Sequence, residues 1–177
     1  IILAAGKGSR MDSSLPKVLH QINGVAMISK VINVAKKINP SNIIVIVGFK
    51  KELVISEIND DTILFVNQNE QKGTGHAILQ CLPYIKDYIG NILILSGDVP
   101  LIKHNTLIDF IKSHNISNAK ASLISTDLDN PSGYGRIIKN DNDELLNIVE
   151  HKDANRKQLL INEINSGIYL FESSILT

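Results

Sequence analysis

An α/β fold, doubly wound around a mostly parallel sheet and carrying an inserted antiparallel β-hairpin, is what this sequence predicts. Two observations carry that prediction. Short runs of Ile, Val and Leu recur along the chain, each followed by a turn and then by a stretch of helical period, the alternation of a parallel sheet covered on both faces. Late in the chain this rhythm breaks into two β-type runs joined by an Asn/Asp-rich turn, which marks the hairpin.

The elements follow in order. Residues 1–5 (IILAA) are an apolar run ending in glycine, read as the first strand. Met27, Ile28, Val31, Ile32, Ala35 and Ile38 repeat at three and four residues and stop at Asn39-Pro40, an amphipathic helix with a proline stop. Residues 43–47 (IIVIV) are continuous and apolar, as a central parallel strand buried on both faces should be. A short helix over 51–58, a strand over 63–66, a helix over 74–82 and a strand over 92–95 continue the scheme. A helix near 106–114 and a strand near 121–125 close it. The hairpin is read from 136–139 and 145–149, and 168–171 returns to a strand. With 177 residues and no repeat or low-complexity linker, one doubly wound domain spanning 1–177 is expected.

Charge and cysteine content remove several classes of function. Lys plus Arg and Asp plus Glu stand at 18 each, so no bulk field favours a polyanion, and no nucleic-acid partner is expected. The single cysteine, Cys81, cannot form an internal disulfide and is read as a small, half-buried apolar side chain in a cytoplasmic protein. The apolar runs are too short to span a bilayer and no signal-peptide pattern stands at the front, so no membrane partner is expected. The absence of an initial Met, with an apolar run already under way, reads as a chain trimmed at its front, and the back reads as trimmed too.

In a parallel sheet ligands gather beyond the carboxyl ends of the strands. The first strand ends in Gly6-Lys7-Gly8-Ser9-Arg10. This is not a Walker loop, because Ile1 stands where the leading glycine belongs, and not a dinucleotide fingerprint, because Met11 replaces the third small residue. What remains is a solvated turn or an anion site, with Arg10 offering a planar fork and Lys17, after Pro16, a second cation. The 63–66 strand runs into NQNEQKGTGHA, where Gln68 has a donor and an acceptor to read a base edge, and Gly73-Thr74-Gly75 opens a helix or merely caps it with Thr74. The 92–95 strand ends in Ser96-Gly97-Asp98, a capping aspartate or the single carboxylate that, beside substrate phosphates, suits Mg²⁺. Gly133-Tyr134-Gly135-Arg136, Glu150 and Asn165 offer the amide, carboxylate and close backbone approach that a sugar would need. The five histidines show no metal-ligand spacing, and no nucleophile is paired to a base by pattern.

The segments LAAGKGSRM, LPKVLH, QKGTGHA, LSGDVPL, PSGYGRI, VEHKDA and EINSGIYLF, in this order, resemble the sugar-1-phosphate nucleotidyltransferases, and among them the N-acetylglucosamine-1-phosphate uridyltransferases. The resemblance implies a Rossmann-like fold and Mg²⁺-dependent transfer of uridylyl from UTP to N-acetylglucosamine 1-phosphate, without a covalent intermediate. It implies that Leu3, Ala4, Ala5, Gly6 and Gly8 line the nucleotide, that Arg10 and Lys17 are catalytic on its phosphates, and that Gln68, Gly73 and Thr74 meet the uracil. Asp98 would hold Mg²⁺, and Ser96, Gly97, Gly135, Glu150 and Asn165 would bind the sugar. An aromatic residue often stands in the family where this chain has Ser96. The resemblance also implies a second metal ligand, an Asn, and a C-terminal β-helix with acetyltransferase activity and trimer contacts, all beyond Thr177. Two alternatives stay open: a relative using another sugar or base, and a non-catalytic nucleotide-binding module of the same fold.

Overall fold

The computed structural model describes residues 1–8, 11 and 13–176. They pack as two compact units, Ile1–Ala121 with Leu170–Thr177, and Ser122–Tyr169.

The first unit is built on four parallel strands. β1 (Ile2–Ala4) lies between β4 (Ile43–Val47) and β6 (Asn91–Ser96), and β5 (Ile63–Asn67) lies outside β4. Ile2 stands opposite Val45 on one side and Leu95 on the other, so the three strands end at the same edge. Val45, Ile46 and Val47 are fully buried, the burial on both faces that a continuous apolar run requires. On the sheet packs α1 (Met27–Lys36), which buries Met27, Ile28, Val31, Ile32 and Ala35 as its spacing predicts. α2 (Lys51–Ile58) follows β4, and Val54 is its buried residue. α5 (His104–Ser117) follows β6, three residues longer than predicted at its C-terminal end, and its left-handed cap is Asn118.

Three local findings differ from the sequence reading. A two-stranded ribbon, β2 (Gln21–Ile22) with β3 (Val25–Ala26), turns through Asn23 and Gly24, both at positive φ. Asn-Gly between two such runs is the strongest short-range hairpin signal, and it went unused. The helix expected over 74–82 is two: α3 (Thr74–Leu79) and α4 (Leu82–Ile85), because Pro83 starts a new helix and cannot extend the old one. Cys81, between them, is completely buried, beyond the half-burial expected, and burial pushes its thiol up to about 11.

The second unit is antiparallel. β8 (Arg136–Lys139) and β9 (Leu145–Val149) form the expected hairpin, in register Arg136 to Val149 and Ile137 to Ile148, with a bulge at Ile138/Lys139. Asn140 closes the turn by accepting from the backbone N–H of Asn142 and Glu144. β10 (Glu163–Glu172), far longer than the predicted 168–171, pairs with β8, and β7 (Ala121–Asp127) pairs with β10. Glu163 ties three of these strands together, accepting from Ser125 of β7 at 2.5 Å and from Lys139 of β8 at 2.9 Å.

Gly97 shows how tightly the edge of the first unit is made. A Cβ there would sit 2.8 Å from the Leu3 carbonyl oxygen and 2.9 Å from Ile28 Cδ1. Neither the backbone nor the core side chain can step aside cheaply. Gly97→Ala is therefore expected to destabilise the protein by about 1–3 kcal/mol, the usual range for overpacking, read as a lowered urea midpoint with unchanged slope.

Candidate active site

Where β1, β5 and β6 end, a cavity of about 570 Å³ opens in the first unit, lined among others by Leu3, Ala4, Ala5, Gly6, Gly8, Lys17, Gln68, Gly73, Thr74, Ser96 and Asp98. The sequence singled out each of these, and the fold brings them to one place. Lys17 enters on a short 3₁₀ turn, Lys17–Leu19, pinned by the buried Val18 and Leu19. Its Nζ lies 2.6 Å from Asp98 Oδ2, and Ser96 Oγ donates to Asp98 Oδ1 at 2.6 Å. Burial acts to raise the Asp98 carboxyl, but the hydrogen bonds from Lys17 and Ser96, with the Lys17 charge, outweigh it and hold Asp98 below the usual carboxylate range.

The glycine loop is shaped by that lysine. Gly8 has φ of +68°, and a Cβ there would fall 2.6 Å from Lys17 Cβ, so the loop lies directly on the lysine stem. Gly6 is different: a Cβ there would meet no atom of the described residues within 4 Å. On the far side, Gln68 is 3% exposed, donates to the Gly73 carbonyl at 3.2 Å and meets His76 Nδ1 at 3.0 Å. Gln71 donates to the Gln68 carbonyl at 3.1 Å and also lines the cavity. Gly73, not Thr74, caps α3, and it has no side chain to bond the first N–H groups of the helix.

In the second unit, three residues distant in sequence converge. Gly135 accepts from the Asn165 N–H at 2.9 Å, and a Cβ on Gly135 would lie 3.3 Å from Glu150 Oε1 and 3.7 Å from Asn165 Cβ. The Asn165 amide is fixed by Tyr169 Oη at 2.6 Å and by the Gly167 N–H. Arg136 is not displayed to a ligand but buried, 1% exposed, with its guanidinium donating to the carbonyls of Pro131 and Tyr134. It clamps the turn that leads into Gly135.

The remaining expectations divide. Arg10 lies outside the described residues. Gly97 does not line the cavity; its bare Cα faces Leu3, Ile28 and Val18, so packing accounts for it. A second cavity, about 380 Å³, opens at the opposite ends of the strands among Ile1, Ile43, Tyr88 and Ile92, and it holds none of the predicted residues. No helix among the described residues is long and apolar enough to cross a membrane.

Residues 1–177 match the nucleotidyl transferase family over the whole chain. The chain belongs to that family. Two curated relatives, each named bifunctional protein GlmU, are similar to it: that of Oceanobacillus iheyensis, 44% identical over 176 residues, and that of Prochlorococcus marinus, 46% identical over 176 residues. The match covers 99% of this chain but 38% and 39% of theirs, so the chain spans well under half of their length. In fold it is similar to a solved UDP-glucose pyrophosphorylase in complex with UDP-glucose, with a TM-score of 0.79 and 18% identity, over 99% of this chain and 76% of the other. The doubly wound, mostly parallel, Rossmann-like architecture expected from the sequence is thus the architecture of this family member.

Sequence reasoning missed Gln71 as a cavity residue and His76 as the partner of Gln68, although both lie inside the NQNEQKGTGHA segment. It missed the burial of Arg136 because an arginine between two glycines and a strand looks surface-bound. As for a metal, no cluster of three or more His, Cys, Asp or Glu stands among the described residues. Asp98 alone fits a cation that keeps its waters and takes its other ligands from substrate phosphates, since it is anionic and lies in the cavity.

Lys17→Met removes the strongest opponent of burial at Asp98. Its carboxyl is then expected to titrate at a higher pH than in the parent protein, measured by carbon-13 NMR. The sign for stability follows. A carboxyl depressed in the folded state stabilises above its unfolded pKa and loses that contribution as pH falls through the folded value. The parent keeps the Asp98 contribution to below the ordinary carboxylate range, and the variant loses it earlier on acidification. An unmoved Asp98 titration would show that Lys17 is not what holds it.

Proposed function

We propose that this chain is a uridyltransferase domain, catalysing transfer of uridylyl from UTP to N-acetylglucosamine 1-phosphate with release of pyrophosphate. The observation that carries the proposal is the Lys17–Asp98 pair in one cavity with the glycine loop and Gln68. Membership of the nucleotidyl transferase family supports the reaction class, and the segments GYGRI and VEHKDA, resembling the N-acetylglucosamine-1-phosphate uridyltransferases, support the sugar.

In this reading the first unit takes the nucleotide. Leu3, Ala4, Ala5, Gly6 and Gly8 line it, and the open space before Gly6 admits its backbone. Gln68, Gly73 and Thr74 meet the base. Gly135, Glu150 and Asn165, together in the second unit, take the sugar, with Asn165 pre-set by Tyr169. Ser96 and Gly97 were also read as sugar contacts. Ser96 acts here as the partner of Asp98, and Gly97 as the spacer that lets β6 pass against β1.

The reaction needs no nucleophile from the protein. A phosphate oxygen of the sugar 1-phosphate forms the new bond to the α-phosphorus of UTP, the bond from that phosphorus to the β-phosphate oxygen breaks, and pyrophosphate leaves with the electron pair. Catalysis is positioning plus charge stabilisation. Asp98 would hold Mg²⁺, which when bound supplies positive charge shared between phosphates. Lys17, whose Nζ lies 2.6 Å from Asp98 and whose side chain is partly exposed, would turn its charge on the phosphates, with Arg10 as second cation. We further propose that residues 1–177 form a nucleotidyltransferase domain, that the protein is cytoplasmic, and that it assembles as a trimer through a segment beyond this chain.

Pyrophosphate release from UTP, dTTP, CTP and GTP, each with N-acetylglucosamine 1-phosphate or glucose 1-phosphate, tests the reading. Fastest turnover with UTP and the N-acetyl sugar is expected, and a different best pair would reassign base or sugar. Lys17→Ala is expected to lower turnover by roughly a hundredfold, as loss of one preorganised phosphate donor does, with an unchanged circular dichroism spectrum. Near-parental turnover would remove Lys17 from the mechanism.

A further inference from the structure

The amide of Gln68 is held in one orientation. Its Nε2 lies 3.2 Å from the Gly73 carbonyl oxygen and 3.0 Å from His76 Nδ1. A carbonyl can only accept, so the amide atom facing it is nitrogen, and both of that nitrogen's protons are spent within the fold. The side-chain oxygen of Gln68 has no hydrogen-bond partner among the described residues, and the residue lines the cavity although it is nearly fully buried. What Gln68 has left for a ligand is therefore an acceptor.

That outcome depends on His76 accepting at Nδ1. The ring stands between two glutamines: Gln80 Nε2 is 3.3 Å from His76 Nε2 and donates at 3.2 Å to the His76 carbonyl. A neutral imidazole has one lone pair and one N–H, so it cannot accept at both nitrogens. The shorter contact is to Gln68, which is buried and anchored by Gly73, whereas Gln80 is partly exposed at the C-cap of α3, where its amide meets the carbonyl of His76. Nδ1 takes the lone pair and Nε2 carries the proton, while the Gln80 amide, kept nitrogen-inward by the His76 carbonyl, donates to that carbonyl and leaves the longer 3.3 Å approach to Nε2 without a hydrogen bond.

We infer that His76 determines base specificity, acting through Gln68 as a positioning residue. By accepting at Nδ1 it keeps the Gln68 oxygen turned to the ligand. The base that fits is one presenting a ring N–H beside a carbonyl, as uracil and thymine do. Cytosine offers a lone pair at that ring position and meets acceptor with acceptor. The reverse amide orientation would set the Gln68 oxygen against the Gly73 carbonyl and the His76 lone pair at once, so the fold selects one polarity. This rests on the reading above that Gln68 meets the base.

The test compares kcat/KM for UTP and CTP at fixed sugar 1-phosphate in the parent, His76→Leu, His76→Asn and Gln68→Leu. In His76→Leu the UTP-to-CTP ratio is expected to fall about tenfold, the worth of one hydrogen bond, with KM for the sugar phosphate unchanged. His76→Asn, whose amide oxygen can accept in place of Nδ1, should keep most of the ratio. A parental ratio in His76→Leu, with a collapsed ratio in Gln68→Leu, overturns the role of His76 alone. A parental ratio in both overturns the placement of Gln68 at the base, while failure of the parent to bind UTP by calorimetry overturns the proposed function itself. Should His76→Leu fold poorly, nitrogen-15 NMR of the parent decides independently: a proton on His76 Nδ1 would sink the inference.

Discussion

Backbone pairing continues past the ends of the parallel strands, and the site depends on it. Past the end of β6 the Gly97 N–H still donates to the Leu3 carbonyl at 2.9 Å, and past the ends of β1 and β4 the Phe49 N–H donates to the Ala5 carbonyl at 3.1 Å. After β4 closes, the Val47 carbonyl accepts from the Gln68 N–H at 2.7 Å. These bonds carry the register of a buried sheet into the segments bearing the chemistry. Gln68 and Asp98 thereby inherit the precision of β5 and β6 instead of the freedom of loops. Buried backbone groups cannot be left unpaired, so the same hydrogen bonds that satisfy the polypeptide also place its functional side chains.

On that edge two opposite charges face one another. Lys17 and Asp98 neutralise one another while both remain partly open, with side-chain exposures of 42% and 25%. A pair this accessible contributes little to stability. Its worth lies in holding the Asp98 carboxyl below the usual carboxylate range inside a cavity where burial acts to raise it. Arg136 represents the opposite use of a cation. Fully enclosed, and among the described residues with an unpartnered Nε and with carbonyls and His151 meeting its terminal nitrogens, it orders a turn.

Much of this was legible in the sequence for reasons that are physical. Continuous apolar runs can only be buried strands, and residues at their carboxyl ends must gather where parallel strands finish, so Lys17, Gln68, Gly73 and Asp98 could be named before the fold was seen. What was not legible depends on contacts between distant residues. Gly97 looks like a ligand-facing glycine until Leu3 and Ile28 are found against it. His76 looks like any helical histidine until two glutamines close on its ring. The split of 74–82 at Pro83 and the Asn23-Gly24 hairpin were local signals, present in the chain and outweighed by the larger α/β rhythm.

The glycines of the opening loop separate fold from function more sharply than their spacing does. Gly8 is demanded by the protein itself, through its positive φ and the lysine stem pressed against it. Among the described residues nothing demands Gly6: it is not at positive φ and no atom stands within 4 Å of where its Cβ would lie. A residue that costs conformational entropy on folding, yet answers no internal constraint, has its reason outside the chain. That space opens into the cavity shared with Lys17 and Asp98, so a group whose phosphates meet those charges would pass across Gly6. In the proposed function, a turn that satisfies neither familiar phosphate-loop pattern would serve the same chemistry, one glycine lying on the lysine stem and the other leaving room for a nucleotide.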